Sequence, residues 1–218
     1  EYWELTNRLS GAQVDEVDTF YARWPGTYVE DRLRNDWLLE LGKRRDWANF
    51  SRDFPRFRMN DDREVTCYWL LTQHLNGQDV RDAARSAWFA QRDLDDGCNL
   101  LASTLLAAGQ LTANDAWQEA RISVESNRPR AARAAAGFVS PAAAATVAEL
   151  WESPSRYLSR KPSGAHTAEL ATLALLRLGS SDPQAAAAQL NDRWQSQLPG
   201  PLAALAWAGT AKPAAQKL

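Results

Sequence analysis

The chain has 218 residues and a mass of 24.3 kDa, enough to bury a substantial core as one domain or one extended array. Its 25 basic and 27 acidic residues leave a formal charge of −2, which excludes the strong basic excess needed to bind nucleic acid or an anionic membrane surface. Eight Val and one Ile leave little for a large sheet, whereas 38 Ala, 31 of them after residue 100, favour closely packed helices.

Apolar periodicity and capping residues predict helices near 2–9, 14–24, 27–41, 45–53, 61–76, 79–91 and 95–108. They continue near 112–125, 128–138, 141–151, 154–160, 165–178, 182–195 and 201–208. Over 27–41, Leu33, Trp37, Leu38 and Leu41 form one stripe, and Glu30, Asp31, Arg34 and Asp36 are expected to face mostly away from it. The 165–178 segment carries Leu170, Leu173, Leu175, Leu176 and Leu178, apolar almost all round, and is expected to lie between two layers. No apolar run reaches the roughly 18 residues of a membrane span. The opening Glu1-Tyr2-Trp3-Glu4-Leu5 lacks a signal-peptide pattern, as a mature or trimmed chain also would.

Repetition organises these elements. Gly42, Gly77, Gly109 and Gly179 each follow an apolar run and precede a polar restart, at separations of 35, 32 and 70 residues. Gly supplies the left-handed backbone that ends a helix, and Asp, Ser or Thr caps the next. Pro183 directly after Asp182 fits the first helical position. A helix–Gly–cap–helix unit near 30–35 residues is the mark of an all-α solenoid of antiparallel helix pairs. The expectation is a single array over 1–218. It has a bulky Trp- and Leu-rich half over 1–127, an Ala-rich half over 128–209, and a tail over 210–218 that frays or continues into something further.

Residues able to carry chemistry are sparse. Cys67 lies on one helical segment and Cys98 at the start of the next but one, which flanks the same repeat, so the spacing allows either a disulfide or two buried thiols. His74 and His166 have no nucleophile or zinc-site context, and no metal or other cofactor is expected. Asp93-Leu94-Asp95-Asp96-Gly97 lacks the twelfth-position Glu of a calcium loop, because residue 104 is Thr; it reads as an acidic helix start. Carboxylate pairs such as Glu30 with Asp31 and Asp61 with Asp62 are ordinary helix-surface features. Arg128-Pro129-Arg130 with Arg133 reads as a solvated helix start. Trp24, Trp37, Trp47, Trp69, Trp88, Trp117, Trp151 and Trp194 fall mostly at apolar helical positions, which makes them core knobs rather than a sugar-stacking platform.

Several stretches together carry a family likeness: Phe20-Tyr21-Ala22-Arg23-Trp24-Pro25, then Trp37 through Trp47 with its Arg-Asp-Trp block, then Cys67-Tyr68-Trp69 with Asn76-Gly77-Gln78, then Cys98 after an acidic, Gly-containing turn. Over roughly residues 2–125 the sequence resembles the N-terminal helical superhelix of soluble lytic murein transglycosylases. The resemblance implies a periplasmic protein, a curved helical scaffold, and a Cys67–Cys98 disulfide. It implies a parent enzyme cleaving the bond between N-acetylmuramic acid and N-acetylglucosamine in peptidoglycan to leave a 1,6-anhydro end. The family's catalytic region carries Glu-Ser, then Gly-Leu-Met-Gln, then Ala-Tyr-Asn. Here the single Met59 is followed by Asn60, and Glu125-Ser126 and Glu152-Ser153 stand without the other motifs. No catalytic residue carries over, so the expectation is a scaffold separated from its lysozyme-like domain and inactive alone. Peptidoglycan is then reached through that missing domain. An independent helical-repeat adaptor, binding a protein or peptide in a groove, is the competing reading.

Overall fold

A computed structural model of the chain describes the backbone of residues 1–216 and the side chains of residues 1–211. Among the described residues every regular element is a helix. The chain forms two compact units, residues 1–110 and 111–218, dividing before the compositional shift near 127.

The first unit comprises α1 (Tyr2–Asn7), α2 (Val14–Arg23), α3 (Tyr28–Arg44), α4 (Trp47–Asp53), α5 (Arg63–Leu75), α6 (Arg81–Phe89) and α7 (Asp96–Ala107). Polar caps set the helix starts. Thr27 Oγ1 accepts from Glu30 N, Asp46 from Asn49 N and Asp62 from Val65 N, each satisfying a backbone donor that the helix itself leaves open. Leu33, Trp37, Leu38 and Leu41 are wholly buried on α3, as their stripe predicts. They pack with Val17, Phe50, Val65 and Tyr68 from α2, α4 and α5. Cys67 and Cys98 are joined, S–S 2.06 Å, tying α5 to α7 with both residues buried.

Two of the four glycines end helices as expected: Gly77 (φ 81°) and Gly109 (φ 67°) are left-handed. The other two do not. α3 runs past Gly42 to Arg44, and Arg45 (φ 58°) takes the left-handed position instead. A Cβ on Gly42 would fall inside the Tyr68 ring. This glycine is therefore an approach point between α3 and α5. Helix propensity alone would make Gly42→Ala stabilising by ~1 kcal/mol. Tyr68 is buried, and Trp47 and Phe50 hold its ring with centroids at 6.0 and 6.2 Å, so the ring cannot step aside cheaply. The packing loss of about 1–3 kcal/mol wins. Urea denaturation of Gly42→Ala is expected to show net destabilisation; a gain would mean the ring moves freely.

The second unit comprises α8 (Ala113–Glu125), α9 (Pro129–Val139), α10 (Pro141–Glu152), α11 (Pro154–Ser159), α12 (Thr167–Ser181), α13 (Pro183–Gln189), α14 (Gln195–Gln197) and α15 (Gly200–Gln216). Pro129, Pro141, Pro154 and Pro183 all open helices, where their missing N–H costs nothing. Ala131, Ala132, Ala135 and Ala136 on α9 are buried, so the Ala-rich stretches are slim packing faces. α12 contacts α8, α10, α11, α13 and α15, which accounts for its nearly continuous apolar surface. Gly179, like Gly42, sits inside a helix: a Cβ there would lie 3.2 Å from Thr210 Cα of α15. The segment expected as one helix over 182–195 instead passes through a π-turn at Leu190–Trp194. The tail from 210, expected to fray or continue into something further, is helical in α15 to Gln216, and residues 217–218 lie outside the described residues.

Candidate functional site

A charged cleft of about 310 Å³ in the first unit is built from four short stretches of chain. α3 contributes Arg32 and Asn35; the turn before α5 contributes Asp61 and Asp62; α5 opens with Arg63 and Glu64; the turn before α7 contributes Arg92 and Asp95. Asn35 is 4% exposed and donates from Nδ2 to Asp62 Oδ2 at 3.2 Å. Asp62 Oδ1 caps α5, so one carboxylate anchors both the helix start and the cleft floor. Glu64 accepts from Gly97 N at 3.0 Å, closing α7 against α5 beside the disulfide. Burial, reinforced by Asp95 and Asp96, pushes the Glu64 carboxyl above its ordinary range; burial, reinforced by Asp62 and Asp93, does the same to Asp95. Arg63 is held at its rim by the carbonyl of Ala90.

A second polar assembly is structural. Arg34 and Asp53 are both 1% exposed and pair directly, and Arg34 also reaches Glu30. Tyr21 donates to Asp53 at 3.0 Å, and the Arg34 guanidinium lies 4.0 Å from the centre of the Tyr21 ring. Burial pushes the Asp53 carboxyl up despite the pull of Arg34, and pushes the Tyr21 hydroxyl far up. Asp31, also buried, accepts from the backbone N–H groups of Arg58 and Met59. The expectation that Asp31 and Arg34 face away from the α3 stripe is thus corrected. α3 is surrounded by α1, α2, α4, α5 and α7, and its polar positions meet partners on those neighbours instead of water.

The other sequence candidates resolve individually. Trp37, Trp88, Trp117 and Trp194 are core residues, whereas Trp3, at 74%, and Trp24, at 42%, are exposed. His74 closes the last turn of α5; His166 precedes α12 in a left-handed conformation, its ring 5.5 Å from that of Trp117. Asp95 and Asp96 open α7, as an acidic helix start should. Arg128 is not solvated as expected: it lies 11% exposed, 3.9 Å from the buried Glu119 of α8. Glu125-Ser126 and Glu152-Ser153 sit at the exposed ends of α8 and α10. Among the described residues no group of His, Cys, Asp and Glu is arranged to hold a metal, and no helix is long and apolar enough to cross a membrane.

No family model matches the sequence, and no curated protein matches it. Solved structures do. Lytic transglycosylase Slt from Pseudomonas aeruginosa, an inactive mutant, is 25% identical with a TM-score of 0.59, over 90% of this chain and 33% of its own. The 70 kDa soluble lytic transglycosylase in complex with bulgecin A is 18% identical with a TM-score of 0.63, over 97% of this chain and 35% of its own. The 70 kDa enzyme from Escherichia coli is 18% identical with a TM-score of 0.62, over the same shares. The all-α array of helix pairs is therefore the fold of a helical sub-region of soluble lytic transglycosylases. The chain spans about a third of the length of these structures.

Proposed function

We propose that this chain is the helical scaffold portion of a periplasmic soluble lytic transglycosylase. The parent acts on peptidoglycan, cleaving between N-acetylmuramic acid and N-acetylglucosamine to leave a 1,6-anhydro end, and this portion is inert alone. The observation that carries the reading is the likeness over nearly the whole chain to one third of two lytic transglycosylases, at up to 25% identity. A buried disulfide between helices suits an oxidising compartment. The catalytic role falls to a lysozyme-like domain elsewhere in the parent, since the Glu-Ser pairs here stand at the C-terminal ends of α8 and α10, with both glutamates exposed, without the accompanying motifs. A carboxylic acid acting as proton donor needs a pocket that holds it protonated, and helix-end glutamates in water have none.

The test is incubation of the purified chain with murein sacculi, followed by chromatography of soluble products. No anhydro-muropeptides are expected; their release would contradict the scaffold role. Sequencing the intact parent polypeptide supplies the second arm. A Gly-Leu-Met-Gln block is expected beyond this portion, and a parent without one would leave the helical adaptor as the better reading.

A further inference from the structure

We propose that the charged cleft of the first unit binds a small zwitterion, an amino acid or short peptide bearing both an ammonium and a carboxylate. The inference does not rest on the transglycosylase reading, because it concerns what this cleft recognises and not what the parent cleaves.

Three observations carry it. First, three guanidinium groups (Arg32, Arg63, Arg92) and four carboxylates (Asp61, Asp62, Glu64, Asp95) line one cavity, yet no ion pair joins any of them to another among the described residues. Opposite charges that share a cleft without closing on each other leave room for a ligand carrying both signs. Second, Asn35 is buried on α3, in a position where an apolar side chain would pack at no polar cost. Its amide N–H is satisfied by Asp62, but its Oδ1 has no hydrogen bond among the described residues and stands at the cleft as an unused acceptor. Third, Glu64 and Asp95 crowd negative charge at the floor, where burial and their acidic neighbours disfavour ionisation. An ammonium seated there meets Asn35 Oδ1 and these carboxylates together. Arg92 at the exposed rim then takes the carboxylate, beside Arg32, which lies 3.8 Å from Asp36 outside the cleft.

The cavity volume suits a dipeptide better than a folded partner. The frame is also set in advance: the Cys67–Cys98 bond and the Glu64–Gly97 hydrogen bond fix α5 against α7, so little ordering is left for the binding step.

The probe is alanyl-alanine, titrated into the isotope-labelled chain and followed by amide chemical shifts. Saturable shifts are expected at the Asn35 side-chain amide and at the backbone of residues 62–64 and 95–97. N-acetyl-alanyl-alanine and alanyl-alanine amide, each lacking one charge, are expected to bind at least about tenfold more weakly. Arg92→Gln at the rim and the near-isosteric Asp95→Asn at the floor should each weaken alanyl-alanine by about tenfold with an unchanged thermal midpoint. The absence of saturable shifts, equal affinity for the blocked probes, or variants that bind as the parent does would each overturn the proposal. The transglycosylase reading would stand in any of these cases.

Discussion

Asp53→Ala is expected to lower the unfolding free energy by about 3–5 kcal/mol, the cost of leaving a buried guanidinium without its partner. Arg34 is almost wholly enclosed, and its remaining carboxylate contact is Glu30, one helical turn away on the same element. Only Asp53 links it across to α4. The substitution also strips the Tyr21 hydroxyl of its acceptor. Urea unfolding followed by tryptophan fluorescence measures the change. A loss below about 1 kcal/mol would place the pair among weak surface bridges, contrary to its burial. The paired replacement Arg34→Met with Asp53→Leu should recover most of the loss, since removing both charges together leaves nothing uncompensated. Recovery would also separate the cost of an orphaned charge from a general intolerance of substitution.

That network shows where sequence reading stops. The apolar stripe of α3 was legible because Leu33, Trp37, Leu38 and Leu41 recur at the helical period, and the structure buries all four. Arg34 stands three, four and seven residues before Trp37, Leu38 and Leu41 and so shares their stripe, as Asp31 does seven before Leu38; what was not legible was which partners would satisfy their charges there. Here that side of α3 meets α4 and the residues leading into α5, a contact made by residues about 20 to 30 positions away in sequence. Gly42 and Gly179 mislead for a related reason. A glycine between an apolar run and polar residues looks the same whether it ends a helix or admits a neighbouring side chain. Only Tyr68 and Thr210, from other helices, decide. The cleft was half visible: Asp61 with Asp62 stood out as a carboxylate pair and the Asp93–Gly97 turn as an acidic helix start, and nothing local showed that Arg32 and Asn35 share their cavity. The Trp residues at apolar helical positions were read correctly where neighbouring helices enclose them, as at Trp37, Trp88, Trp117 and Trp194, but the same pattern left Trp24 exposed on α2's end.

The Cys67–Cys98 bond should contribute about 3–4 kcal/mol, because it closes a loop with a sequence separation of 31 residues and so restricts the unfolded chain. That loop contains most of α5 and all of α6, whose own core is thin: Val80, Ala84 and Trp88 are the buried apolar residues from 77 to 90. Losing the bond should therefore act on this helix pair first, through a larger unfolded ensemble and not through lost contact area. Reductant alone is a poor probe, since both sulfurs are buried and exchange must wait for local opening. Cys67→Ala with Cys98→Ala gives the equilibrium value by urea denaturation, and hydrogen exchange should show the amides of α5 and α6 losing protection ahead of those in α3. Titration of the unreduced, denatured chain should meanwhile find no free thiol. Two free thiols, or a double variant within about 1 kcal/mol of the parent, would mean that packing between α5 and α7 holds this part of the unit without the covalent tie.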